Sequence, residues 1–329
     1  MGAQEPVHAV GTGELAEAPV DRYDWRMLRS LLKSVFATHP ASGPQAPAPA
    51  GLKKEISPRF EAAYADWRAG RAHEAVAACR ELLELSPNYS PAHNLLALIE
   101  LPGEDYVRML ERVHAHLRPR TYLEIGVSRG DSIRLAGPGT RAIGVDPQPE
   151  VVFPLGPNAS VVEETSDEFF AGRDVRAELG GLPVDLAFID GMHQFEFALR
   201  DFMNIEALCA PSSTILVHDV YPMDERTAAR ERVTTFWSGD IWRLVLLLRK
   251  HRPDLVVRTI AAPPTGLAVV RNLDPGSTYI RDRLDALVAE YLAVDFSALA
   301  SGKAEQLAVV PNDWSQVRAL LDAPVSSGR

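Results

Sequence analysis

No cluster of lysines or arginines interrupts this chain, and its formal net charge is −10 over 329 residues. A surface that neutralises phosphates needs clustered basic side chains, so nucleic acid is not an expected partner. No uninterrupted apolar run approaches membrane-spanning length; "LVLLLRKHRPDL" (244–255) is short and soon charged, so no membrane partner is expected either. The opening "MGAQEPVHAVGTGELAEAP" lacks a basic stretch followed by an apolar one, which does not read as a secretory signal. There are two cysteines, Cys79 and Cys209, each in a helix-like apolar segment. Two such residues make neither a disulfide framework nor a zinc spacing. They read as reduced core thiols, and the expected location is the cytoplasm.

Apolar residues make up 46% of the chain, enough for a sizeable core. Residues 1–19 are polar and Gly/Ala-rich and read as a disordered tail. Residues 20–51 divide into an amphipathic helix over 20–36 and a Pro/Ala linker, "THPASGPQAPAPAG" (38–51). Within that helix Trp25, Leu28, Leu31, Leu32 and Val35 fall at helical spacing. Residues 52–101 form an all-α segment of three helices. Its spacing resembles a single tetratricopeptide repeat, with Gly70 at the turn, Ala75 and Cys79 at small packing positions, and Pro87 closing the unit. One repeat does not make a free-standing solenoid. The segment either packs on the main domain or offers a surface for a protein partner or a second copy of the chain.

From residue 102 to 275 the pattern becomes α/β. Near-continuous apolar runs at 121–127, 141–147, 159–165, 184–190 and 213–220 alternate with helical stretches at 194–209 and about 240–250. Runs of this kind predict parallel strands covered on both faces. Two last strands, 255–261 and 266–272, are close enough to form a hairpin. The expectation is a Rossmann-like, mostly parallel sheet of seven strands, followed by a helical extension over 276–329.

Ligands of such sheets bind beyond the carboxyl ends of the strands. After the first strand stands "EIGVSRGDS", with Glu124, Gly126, Ser128, Gly130 and Ser132; after the second stands Asp146, suited to a pair of ribose hydroxyls. The glycines let the backbone approach a ligand and open the following helix. The E-x-G-x-x-x-G spacing lacks the G-x-G-x-x-G of a pyrophosphate site. An acid at Glu124 would repel phosphate and welcome a cationic ligand. On these motifs, together with "GVDPQP" and "DLAFIDGMHQFEFALRDFMNIEALCAPSSTILVHDV", residues about 102–272 resemble class I S-adenosylmethionine-dependent methyltransferases. Gly126→Val is then expected to block the cofactor without unfolding the domain. The chain has no N/D-P-P-[YFW] motif for amino methylation ("APPT" at 262–265 is not one).

"IDGMHQFE" further resembles the metal-assisted O-methyltransferases of natural-product biosynthesis, the macrolide-sugar methyltransferase and cephalosporin-hydroxylase-like group. That resemblance implies a magnesium ligand at Asp190, which would also border the cofactor, a general base at His193, and a metal-binding pair at His218 and Asp219. His218 stands where the group has an acid. Magnesium prefers oxygen donors and imidazole suits zinc, iron or nickel better, so a divalent metal, if used, is magnesium or a transition ion. The chemistry of His193 stands apart from family. A hydroxyl attacks a sulfonium carbon well only when it loses its proton, and an imidazole accepts one near neutral pH. Ser166 or Asp167 in "SDEFF" (166–170) is placed to meet an adenine. Trp237 and Trp242 are candidates for the acceptor wall, Asp240 for the cap of the helix that follows it, and Arg226, Arg230 and Arg232 for a lid. The leading expectation is methyl transfer from S-adenosylmethionine to a hydroxyl of a small molecule, a sugar or secondary metabolite. The alternatives are a degenerate methyltransferase-fold interaction protein and a hydroxylase-like relative.

Overall fold

The computed structural model describes residues 50–325. The expected tail over 1–19 and helix over 20–36 lie outside the described residues, as does nearly all of the 38–51 linker. The sheet is built from β1 (Thr121–Ile125), β2 (Arg141–Val145), β3 (Ala159–Val162), β4 (Val184–Ile189), β5 (Cys209–His218), β6 (Val256–Ile260), β7 (Leu267–Arg271) and β8 (Val309–Val310). Their order is β3-β2-β1-β4-β5-β7-β6-β8. β7 runs antiparallel to β5 and β6, and all other pairings are parallel. The mostly parallel α/β class is as expected, but the sheet has eight strands rather than seven. β8 comes from the C-terminal stretch, where Val309 and Val310 pair with Thr259 and Ile260. Two residues carry too little alternation to be read as a strand.

Both faces of the sheet are buried, which is why its strands read as continuous apolar runs. One face (Leu123, Ile125, Ala187, Ile189, Ile215, Val217) joins a core with α7 (Phe195–Glu206) and α8 (Trp242–His251). The other (Tyr122, Leu186, Phe188, Leu216, Val269) packs on α4 (Tyr106–Leu117) and α11 (Trp314–Asp322). α5 (Ser166–Gly172) and α6 (Val175–Glu178) join the first of these cores through Phe169 and Val175, and after the hairpin in sequence come α9 (Leu284–Leu292) and α10 (Lys303–Gln306). Phe195, Leu199, Phe202 and Cys209 are all core, as their spacing predicts. Cys209, however, opens β5 instead of closing the helix, because α7 stops at Glu206. Cys79 is buried in the helix Ala72–Leu85, and burial pushes its thiol up to about 12, so it is inert.

Before the sheet come α1 (Ala50–Arg68), α2 (Ala72–Leu85) and α3 (Ser90–Glu100). The first turn is made at Gly70, whose φ of +79° suits glycine. Trp67, Ala75, Cys79, Leu82, Leu95 and Leu98 of these helices belong to the same hydrophobic core as α7 and α8. The helices are therefore packed against the main domain.

Candidate active site

The strand order reverses between β1 and β4. The chain leaves β1 toward β2 on one side and leaves β4 toward β5 on the other, which opens a crevice at the carboxyl ends. Two loops meet there. The Asp190 N–H donates to the Ile125 carbonyl at 2.8 Å, and a Cβ added at Gly126 (φ +87°) would lie 2.1 Å from the Asp190 carbonyl oxygen. Gly126 is thus required by the chain itself, so Gly126→Val cannot be the clean block of a cofactor expected from sequence.

The glycine loop satisfies its own acids. Glu124 is fully buried and receives hydrogen bonds from the Tyr122 and Ser132 hydroxyls, each at 2.6 Å. Burial raises its carboxyl to about 8 against those two bonds, so it is largely neutral at pH 7. Through these two bonds Glu124 ties the loop to β1. Asp146 accepts from the Val127 and Ser128 N–H groups at 2.9 and 2.7 Å, and from Gln148 N–H at 2.7 Å. Its carboxylate holds β2 to a loop that turns through positive φ at Ser128 (+45°) and Gly130 (+82°). No α-helix follows that loop, contrary to expectation. A single 3-10 turn (Ile133–Leu135) stops at Gly137 and Pro138, residues that end helices. Beyond β3, Asp167 pairs with Arg200 at 2.7 Å, and the Ser166 side chain bonds Asp201. Both anchor α5 to α7.

The tips of β4 and β5 are different. Asp190, His193, His218 and Asp219 surround one point. His193 Nε2 lies 3.1 Å from Asp219 Oδ2 and 3.7 Å from Asp190 Oδ1. His218 Nδ1 lies 3.1 Å from Asp190 Oδ1 and 3.4 Å from Asp219 Oδ2. Thr265, from the turn between β6 and β7, donates to Asp219 Oδ1 at 2.6 Å and sits 3.2 Å from His218 Nε2. Burial disfavours charge on His218, but Asp219 and Asp190 outweigh it and raise the ring to about 10. Burial likewise opposes ionised Asp219, yet His193 and His218 hold it well below the usual carboxylate range. The Tyr106 ring stacks on His218 with centroids 3.8 Å apart. A pocket of about 240 Å³ opens here, lined by Asp190, His193, Asp201, His218, Asp219 and Ile241 among others. Asp190, His193 and Asp219 offer three ligand atoms within 4.8 Å of one another, a donor set that fits a cation. His193 thus enters the metal-competent trio in the place sequence gave to His218, which instead bridges the two carboxylates.

The loop between β5 and α8 closes over this group. Trp237 stacks on His193, with centroids 5.2 Å apart and planes 18° from parallel. Trp242, by contrast, is fully buried against Phe296. Asp240 caps α7, the helix before it, by accepting from Phe195 N–H at 2.7 Å; it does not cap α8. The three arginines are pinned: Arg226 to the Leu83 carbonyl and Glu84, Arg230 to Glu196, and Arg232 to the Thr235 carbonyl. Tyr106, Thr265 and Asp201 escaped the sequence reading. Tyr106 and Thr265 reach the site from outside the strand-four block, and only the three-dimensional pairing of β5 with β7 brings Thr265 near.

Residues 123–220, from β1 through the tip of β5, match the family model of a methyltransferase domain. That stretch is therefore similar to a methyltransferase domain. No curated protein matches it in sequence. Among solved structures it is similar to cofactor-bound Rv0187 from MTB, at 19% identity, over 69% of this chain and 98% of that one, with a TM-score of 0.40. The O-methyltransferase TomG from Streptomyces achromogenes, in complex with SAM, aligns at 15% identity over 50% and 78% of the two chains, with a TM-score of 0.37. An O-methyltransferase from Bacillus cereus, in complex with SAH, aligns at 13% identity over 59% and 96%, with a TM-score of 0.36. At these values the choice of substrate rests on this chain's own residues. Among the described residues no helix is long and apolar enough to cross a membrane.

Proposed function

We propose that the methyltransferase domain takes S-adenosylmethionine as donor and methylates a hydroxyl of a small molecule, with His193 accepting the hydroxyl proton. One observation carries this reading. An imidazole nitrogen stands at the pocket between two carboxylates, 3.1 Å from Asp219. That arrangement orients the ring at the pocket, where a base must stand. The cofactor side has the matching features: a loop with positive φ at Gly126, Ser128 and Gly130, and Asp146 at the tip of β2. Backbone of this kind admits a ligand closely. S-adenosylmethionine supplies the electrophilic methyl carbon when bound. The chain's own part is to hold the hydroxyl in line with that carbon, take its proton on the His193 ring, and keep Asp219 ionised beside the resulting charge.

A divalent ion fits the trio Asp190, His193 and Asp219. Two carboxylates and an imidazole suit manganese, iron or zinc better than magnesium. Bound there, it would act as a Lewis acid toward the acceptor oxygen. Nε2 of His193 cannot hold an ion and accept a proton at once, so the two uses are alternatives. The test is transfer of a labelled methyl group from S-adenosylmethionine into a panel of hydroxylated small molecules, before and after chelation. Transfer that survives chelation and disappears in His193→Ala supports the base. Loss on chelation, restored by manganese, supports the ligand. No transfer to any hydroxyl, with S-adenosylhomocysteine still bound, overturns the reading.

A further inference from the structure

The turn that presents His193 is not self-supporting. His193 has φ +39°, a left-handed conformation that a non-glycine residue adopts at a cost. Something must hold it, and the loop after β5 does so at four points. The Asp240 N–H donates to the His193 carbonyl at 3.2 Å. The Asp240 carboxylate takes the N–H of Phe195 at 2.7 Å, which fixes the start of α7. Gly239 (φ +65°) lies so close that a Cβ there would sit 1.8 Å from the His193 carbonyl oxygen. Trp237 covers the imidazole face, and its indole N–H is anchored on the Ala229 carbonyl at 2.6 Å.

That loop is in turn held by the helices before the sheet. The Thr235 N–H donates to Asn88 Oδ1 at 2.9 Å, and the Thr235 hydroxyl lies 3.3 Å from that of Ser90. The His93 ring stacks on Phe236, with centroids 5.0 Å apart and planes 15° from parallel. His93 is itself fixed, its Nε2 lying 2.9 Å from the Pro87 carbonyl. Arg226 grips the end of α2, and Lys303 bridges Glu100 to the Pro222 carbonyl. The contacts run without a gap from α3 through Thr235 and Phe236 to Trp237 and the imidazole.

We infer that Trp237 is a positioning residue for His193, and that the α2–α3 segment is a working part of the active site, acting through the 221–241 loop. The helices before the sheet are then not a detachable partner-binding module. The inference rests on the reading of His193 as the group that meets the acceptor, and it concerns how that group is held.

The experiment measures carbethoxylation of His193 by diethyl pyrocarbonate on the full chain, resolved by mass spectrometry, with His116 as internal reference. Calorimetric affinity for S-adenosylhomocysteine is recorded alongside. In the wild type the stacked indole shields the ring, so modification of His193 is slow. Trp237→Leu should speed it roughly three- to tenfold, the scale of one lost aromatic stack, with His116 unchanged and S-adenosylhomocysteine affinity retained. Trp237→Phe should restore most of the protection, which a general loss of stability would not. Asn88→Ala, remote from the imidazole, should raise the same rate about twofold to threefold by releasing one hydrogen bond. With a hydroxyl acceptor that is turned over, Trp237→Leu should lower kcat and leave the KM for S-adenosylmethionine in place. An unchanged His193 rate in Trp237→Leu overturns the positioning role. An unchanged rate in Asn88→Ala overturns the reach of the helices. If Trp237→Leu does not fold, Trp237→Phe and Asn88→Ala carry the test. Because these readouts need no methyl transfer, they can fail while the proposed function stands, and the reverse.

Discussion

The two halves of the crevice handle their acids in opposite ways. On the β1–β2 side, Glu124 is sealed between two hydroxyls and Asp146 between three backbone N–H groups. On the β4–β5 side, two carboxylates face two imidazoles across one point, at the edge of a pocket. The first half uses acids to fix backbone shape. The second keeps charge available. The difference teaches that a carboxylate at a strand tip is not by itself a binding group. Its partners decide whether it shapes the loop or meets a ligand.

The sharpest way to break this contrast is at His193. If the β4–β5 side carries the chemistry, His193→Ala should lower methyl transfer by roughly 10²–10⁴-fold, the scale of a lost general base. S-adenosylhomocysteine affinity should hold, because the other side is untouched. Comparable losses in turnover and affinity would mean the halves do not divide the work.

Gly126→Val attacks the seam between them. The new side chain would enter the Asp190 carbonyl and need positive φ from a β-branched residue. The expected result is a large fall in Tm, with cofactor binding lost as a consequence of lost structure. A folded variant of unchanged Tm that fails to bind S-adenosylhomocysteine would show that the clearance serves the ligand alone.

Glu124→Gln tests whether Glu124 is indeed without charge. The carboxyl titrates at about 8 in the folded chain, against an ordinary 4.5. Between those values the native state keeps a proton that the unfolded chain has released. Stability then falls as pH rises, by up to about 1.4 kcal/mol per unit. Below the window both states are protonated, and above it the full penalty applies. Asp201, raised to about 7 by burial, pulls the same way, so the informative quantity is the wild type minus the Gln variant. That difference should grow from pH 5 to pH 8 in favour of the variant. Parallel Tm profiles would mean that Glu124 is ionised in place.

How far the sequence carried varied with the kind of interaction. The parallel sheet was legible because buried strands announce themselves as apolar runs, and the motifs at their ends located the crevice. Asp190, His193, His218 and Asp219 were legible because each lies within a few residues of a strand end. What could not be read were pairings between distant segments. Trp237 over His193, Thr265 on Asp219, and Asp240 reaching back to Phe195 are separated by about 45 residues each. No local periodicity encodes them. The surroundings of Glu124 were hidden for a related reason: Tyr122 and Ser132 meet its carboxyl from either side.

The smallest effect belongs to Thr165→Ala, and it bears on Ser166. Thr165 caps α5 in a reciprocal box, accepting from Glu168 N–H while the Glu168 carboxylate takes the Thr165 N–H at 3.0 Å. Losing that cap removes about 1 kcal/mol, a fall in Tm of roughly 2–4 °C for a domain this size. The start of α5 should fray, and with it the hold of Ser166 on Asp201 and of Asp167 on Arg200. If those two residues serve only to dock α5 on α7, S-adenosylhomocysteine affinity measured well below Tm stays at the wild-type value. An affinity loss of tenfold or more exceeds what about 1 kcal/mol of fraying can produce. That outcome would give Ser166 or Asp167 a direct contact with the ligand, and the β1–β2 half a polar side chain that does more than shape its own loop.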